Sequence, residues 1–269
     1  IAVILYLCKY SPTTLFLHVK ANLTGAVMKD YIDSFNEAGF SVLKKNGRII
    51  ISSPRMTIIG QSDNTLWTAK DILCSECYGF ASTEKFIALD IGQNIGIASL
   101  YFACSEKFLH VYGFEPFPET FFQAQVNFTN NPNLSKKITS FNFGLGKENS
   151  DVEVHYNKNL PGSMSTSRDI FPEGELQRVE IKNVSEVLNT ILQKHKEKVF
   201  CKIDCEGAEK EIVPSLEMSG LLHRIHVLMM EWHFSPPKSL IDILTRNGFT
   251  VFFDHSVRDK LGFIKAVRV

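Results

Sequence analysis

The chain has 269 residues, 44% of them apolar and 22% charged, the profile of an ordinary globular protein able to bury one sizeable core. Basic and acidic residues number 29 each, so the zero formal charge offers none of the basic surface that a nucleic-acid partner selects. Six cysteines are too sparse for a disulfide framework, and Cys74-Ser-Glu-Cys77 lacks the second ligand pair of a zinc site, so no metal ligand set is diagnostic.

Residues 1–27 are an apolar segment whose longest uninterrupted run is too short to cross a bilayer. It leaves membrane association open for a chain otherwise expected to be cytoplasmic. Asn-x-Ser/Thr tripeptides begin at Asn22, Asn127, Asn133 and Asn183 and are weak evidence for secretion. Residues 28–80 read as a small α+β extension. It holds a helix near Met28–Ala38 that Gly39 stops, then a hairpin around Asn46-Gly47. A second helix over Thr65–Tyr78 has Asp63 or Asn64 available as its cap.

From residue 81 onward, strands alternate with helices. FIALDI (86–91), LHVYGFE (109–115), KITSFNFG (137–144), VEIK (179–182), VFCKID (199–204) and IHVLMMEWH (225–233) read as strands. Helices fill the gaps between them, one opened by Pro118. TVFFD (250–254) and GFIKAVR (262–268) are two strands with no helix between them, joined by a polar turn. The pattern predicts an α/β fold, a mostly parallel seven-stranded sheet with one antiparallel member.

Four segments carry chemistry. LDIGQNIG (89–96) links a strand to a helix, the context of a nucleotide-binding turn. Gly92 admits a close backbone approach and Asn94 tolerates left-handed geometry. Asn94 also breaks the GxGxxG spacing, which counts against a nicotinamide cofactor and an oxidoreductase. Glu115, in GFEP, ends the next strand where a carboxylate can accept ribose hydroxyls. KIDCEGAE (202–209) places Lys202, Asp204 and Glu206 at a third strand end, on one side while the strand stays extended. EWH (231–233) places Glu231 and His233 at a fourth, with Trp232 turned to the core. In open α/β sheets, ligands bind outside these carboxyl ends.

In this order and spacing the segments resemble the FkbM family of methyltransferases, over roughly residues 60–254. The resemblance implies a class I Rossmann-like domain (residues 81–269), S-adenosylmethionine as cofactor, and O-methylation of a sugar or small metabolite. It implies that Asp90, Gly92, Asn94 and Gly96 hold the methionine end, Glu115 the ribose, and Gly144 and Asn142 the adenine. Gln93 departs from the alanine usual in the family. LPGSMSTS (160–167) is similar to a Ser-rich segment expected over the acceptor site. A hydroxyl acceptor needs a positioned base. His233 is favoured by its ordinary pKa, with Glu231, Asp204 and Glu206 as competitors. A non-catalytic adenosyl-binding relic is the remaining alternative.

Overall fold

The computed structural model describes residues 4–5, 25–157, 164–167, 174–253 and 260–268. A two-residue strand β1 (Ile4–Leu5) is followed by helix α1 (Gly25–Glu37) and an antiparallel sheet of β2 (Ser41–Lys45), β3 (Arg48–Ser52) and β4 (Thr57–Gly60). Asn46 and Gly47, at φ 53° and 73°, make the left-handed turn that matches strand twist in a two-residue hairpin. Alternation in β3 sends Ile49 and Ile51 inward, where they join Tyr31 and Phe35 of α1. Helix α2 (Asn64–Ala69) then loosens into a π turn at Lys70–Cys74. Asp63 precedes α2 but makes no cap hydrogen bond; its carboxylate pairs with Lys44 at 3.0 Å. Strand β5 (Phe80–Ala81) runs antiparallel to β1.

The large sheet begins with β6 (Phe86–Ile91), buried at every position. Helix α3 (Ile97–Cys104), β7 (Phe108–Phe114), α4 (Pro118–Thr129), a short helix α5 (Pro132–Ser135) and β8 (Ile138–Phe141) follow. The expected third strand ends early, because Gly144–Gly146 leaves the sheet as β9. It joins a side sheet with β10 (Ser150–Tyr156) and β11 (Glu175–Asn183), which contains the VEIK segment. Ile181 lies over the glycines: a Cβ on Gly144 or Gly146 would come within 2.7 Å of its side chain. Helix α6 (Val184–Leu192) is capped by Asn183, which accepts from the N–H groups of Ser185 and Glu186. The chain continues through β12 (Lys198–Ile203), α7 (Glu209–Met218), β13 (Ile225–His233), α8 (Lys238–Arg246), β14 (Phe249–Phe253) and β15 (Leu261–Arg268). The turn expected between the last two strands lies outside the described residues.

The seven strands are ordered β14-β15-β13-β12-β6-β7-β8, and β15 alone runs against its neighbours. Strand order reverses between β6 and β12, which opens a crevice at their carboxyl ends. One face of the sheet packs on α6, α7 and α8. The other packs on α3, α4 and the extension in a continuous core that includes Ile58, Leu66, Phe86 and Phe200. Within it Phe80 stacks on Phe200, ring centroids 5.4 Å apart. The boundary near residue 80 therefore divides topology but not packing. Among the described residues, no helix is long and apolar enough to cross a membrane.

Candidate active site

The turn after β6 is held up from below by a buried polar chain. Asp90 pairs across the parallel register with Lys202 of β12, Oδ1 to Nζ 3.0 Å, and its Oδ2 accepts from Ser99 at 2.6 Å. Lys202 also donates to the carbonyls of Ile91 and Gly92. Burial alone would lower its pKa, but Asp90 and Asp204 outweigh that cost and raise it. Gln93 turns inward: Nε2 donates to Ser99 at 2.8 Å and Oε1 accepts from Ser140 of β8. Its amide occupies the space over Gly113, where a Cβ would collide with it, so the residue that departs from the family pattern does not intrude on the ligand side.

The structure divides the expected cofactor set between the cleft wall and the scaffold beneath it. Asp90 is fully buried beneath the turn and does not line the cleft. Gly96 starts α3 and faces α4, where a Cβ would lie 2.7 Å from the Phe128 ring. Asn142 supports the loop above it, donating to the carbonyls of Glu115 (2.9 Å) and Pro116 (3.2 Å). Gly92 and Asn94 do reach the cleft, at φ 78° and 52°. A Cβ on Gly92 would fall 1.7 Å from the Asp204 carbonyl oxygen, so two strand ends meet there with room only for glycine.

The cleft holds about 580 Å³ of space, counting its open mouth. Glu115 forms one wall, with Oε2 accepting from Asn94 N–H at 2.8 Å and Oε1 from Phe117 N–H at 3.1 Å. Burial pushes its pKa up to about 7, against those two N–H groups and Lys202. Each carboxylate oxygen still has lone-pair capacity for a hydroxyl. Pro116, Phe117, Gly144, Leu145 and Met164 complete an apolar slot beside it.

The opposite wall is Asp204, Cys205 and Glu206. Strand β12 ends at Ile203, so Glu206 arrives through a left-handed turn, φ 51°, rather than by strand alternation. For a non-glycine residue that conformation costs about 1–3 kcal/mol and persists only where neighbours impose it. Here Ser165 donates to the Glu206 carbonyl at 2.5 Å. Ser165 belongs to the Ser-rich segment, of which residues 164–167 are described and Met164 and Thr166 face the cleft. Lys202 is buried under the turn rather than on the rim.

His233 stands behind Glu206 and does not line the cleft, Nε2 to Oε2 3.4 Å. Burial opposes its charge, but Glu206, Glu209 and Glu231 prevail and raise its pKa to about 10. That shift favours the imidazolium, which is a poor proton acceptor. Glu206 is pushed up to about 7 by burial, with His233 pulling the other way. Burial also drives Glu231 well above the carboxylate range, reinforced by Asp204, Glu206 and Asp71. Trp232 is fully buried core, as alternation requires. Sequence reasoning missed Glu209, which is fully buried and accepts from Gly207 N–H (2.8 Å) and His233 N–H (2.7 Å). Its position in the first turn of α7, one turn past the strand end, was the available signal.

A crevice at the reversal of strand order, a glycine turn, a buried carboxylate at the second strand end and an apolar slot define a class I, Rossmann-like methyltransferase. The family model described as the methyltransferase FkbM domain matches residues 90–251, more than half of the chain. The chain belongs to the FkbM methyltransferase family, whose methyl donor is S-adenosylmethionine, and the oxidoreductase alternative falls away. It is 26% identical over 230 residues to methyltransferase sdnD of Sordaria araneosa, covering 74% of this chain and 88% of that one. It is 25% identical over 167 residues to methyltransferase 1 of Beauveria bassiana, covering 55% and 66%. Among solved structures it is similar to methyltransferase FkbM from Methylobacillus flagellatus, at 17% identity and TM-score 0.43, over 90% of this chain and 60% of that one.

Proposed function

We propose that this methyltransferase acts on a hydroxyl group of a sugar or other small molecule, with Glu206 as the base. The observation that carries the reading is positional: of Glu206, Glu231 and His233, Glu206 alone lines the cleft. Asp204 lines it too, but its carboxylate is already engaged by the Lys202 ammonium, 3.9 Å away.

When bound, S-adenosylmethionine supplies a methyl group already activated by the sulfonium. The residues then have to align and deprotonate an acceptor for in-line attack. Glu115 accepts the ribose hydroxyls, the slot between Phe117 and Leu145 takes the adenine, and the backbone from Gly92 to Asn94 receives the methionine end. Asp204 presents negative charge to the cationic sulfur. Glu206 takes the proton of the acceptor hydroxyl, and the imidazolium of His233 holds its carboxylate in place. Thr166, which also lines the cleft, is assigned to the acceptor side.

The test is transfer of labelled methyl groups to a panel of glycans, hydroxylated metabolites, amines and carboxylic acids. Ether products that survive mild alkali are expected. Transfer confined to amines, or to carboxylates as alkali-labile esters, would overturn the hydroxyl reading.

A further inference from the structure

Glu209 opens helix α7, and its fully buried carboxylate ties two strand ends together. Oε2 accepts from Gly207 N–H at 2.8 Å, in the turn after β12, and Oε1 accepts from His233 N–H at 2.7 Å, at the end of β13. The same Oε1 lies 3.5 Å from His233 Nδ1, while Nε2 of that ring lies 3.4 Å from Glu206 Oε2. The geometry points to Glu209 as a positioning residue for methyl transfer. It fixes the Glu206 carboxylate at the cleft, through the backbone of the turn and through the His233 ring.

Backbone strain marks the two places that Glu209 holds. Glu206, at φ 51°, immediately precedes Gly207, and Phe234, at φ 71°, immediately follows His233. Left-handed geometry costs a non-glycine residue about 1–3 kcal/mol and lasts only where neighbours impose it. Each backbone hydrogen bond of Glu209 falls next to one of these residues. Gly207 itself, at φ 111°, has no room for a side chain: a Cβ would lie 2.5 Å from Ser167 Oγ and 2.7 Å from the Phe234 ring. The turn that bears Glu206 is thus packed against the chain leaving β13, and one carboxylate sits at their junction. A shift at that junction moves Glu206 relative to the cleft.

The position calls for a carboxylate rather than any polar group. Both backbone partners are N–H donors, and a protonated imidazole donates from both of its nitrogens. An ionised carboxylate offers acceptors on both oxygens; a carboxamide offers one and turns a donor toward the other N–H. Burial opposes the charge of Glu209, but the His233 ring and the backbone N–H groups prevail and hold its pKa below the ordinary carboxylate value. Glu206 and Glu209 then flank one ring, so the ring that steadies Glu206 is itself steadied from behind. The assignment rests on the reading of Glu206 as the base.

The test is a double-mutant cycle on the full chain, read as the rate of ether-linked label formed from S-adenosylmethionine and the pooled hydroxylated panel. Glu209→Gln is expected to slow transfer by about 10–10²-fold while binding S-adenosylhomocysteine as the parent does. In a Glu206→Gln background it should cause no further loss, because a residue that acts only through Glu206 has nothing left to position. A further loss of the same size would make Glu209 a staple of the fold and overturn the role, as would a parental rate in Glu209→Gln alone. Both results are distinct from failure of the base reading, which shows as a parental rate in Glu206→Gln, or as no ether in the parent, and takes the positioning role with it. If Glu209→Gln no longer binds S-adenosylhomocysteine, Glu209→Asp, which keeps the charge on a shorter stem, replaces it in the cycle with the same expectations. Loss of that binding in both variants would also overturn the role.

Discussion

The two halves of the strand rim use their polar groups in opposite ways. Under the β6 turn, Asp90, Lys202, Ser99, Gln93 and Ser140 are spent on one another in a closed chain that reaches from β12 to β8. At the ends of β12 and β13, Glu206, Glu231 and His233 crowd together beside Asp204, and burial and neighbouring charge shift the pKa values of those three. A satisfied network fixes one geometry, which suits a cofactor that is always the same molecule. A crowded, unsettled cluster is where perturbed titration gathers, and such clusters mark chemistry more than scaffolding.

That contrast can be broken first at Lys202, which belongs to the satisfied half. Lys202→Met should strand the Asp90 carboxylate in the core and cost about 3–5 kcal/mol in chemical denaturation. A loss below one kcal/mol would mean the pair is not the support described. Next comes Glu206→Gln, expected to slow transfer by about 10²–10⁴-fold while leaving S-adenosylhomocysteine affinity intact. Parental turnover would hand the base role to another group. Smaller is Glu115→Ala, which should weaken cofactor binding by about 1.5–3 kcal/mol in calorimetry, the worth of hydrogen bonds to a charged group.

The contrast can also be sharpened by pH. Glu115 has a folded pKa raised to about 7, so its ionised form, the better double acceptor, is populated only above that value. Cofactor affinity should therefore climb between pH 6 and 8, and a Glu115→Gln variant should show a flat profile there. The stability sign is the reverse. A carboxyl with a raised folded pKa favours the fold below its ordinary value of 4.5, and that contribution is lost as pH rises through 7. Thermal midpoints should fall over this interval, and fall less in Glu115→Gln.

Much of the architecture was legible because its signals are local. The runs at 86–91 and 225–233 are buried on both faces and emerge as strands with those bounds. Pro118 opens its helix, and Asn46-Gly47 makes its turn. The side sheet was not legible, since Gly144-Leu145-Gly146 is too short to show a period and pairs only with a partner 37 residues on. The turn after β6 reaches the cleft through Gly92 and Asn94, but which of its residues face that cleft depends on pairing across strands. Asp90 looked like a binding group until the register set it against Lys202. For His233 the ring's neighbours were equally out of reach of the sequence: Glu206 and Glu209, from a different turn and helix, lie 3.4 and 3.5 Å from its nitrogens.

The stack of Phe80 on Phe200 bears on how this enzyme can be trimmed. The segment by which the family is recognised, residues 90–251, is smaller than the packed core and the sheet. Cutting there would remove Phe80 and most of β6 from one aromatic layer. It would also delete β15, the strand wedged between β13 and β14, leaving a bare sheet edge. Such a fragment would present Phe200 and the rim of β13 to solvent, and its fate is self-association rather than a smaller catalyst.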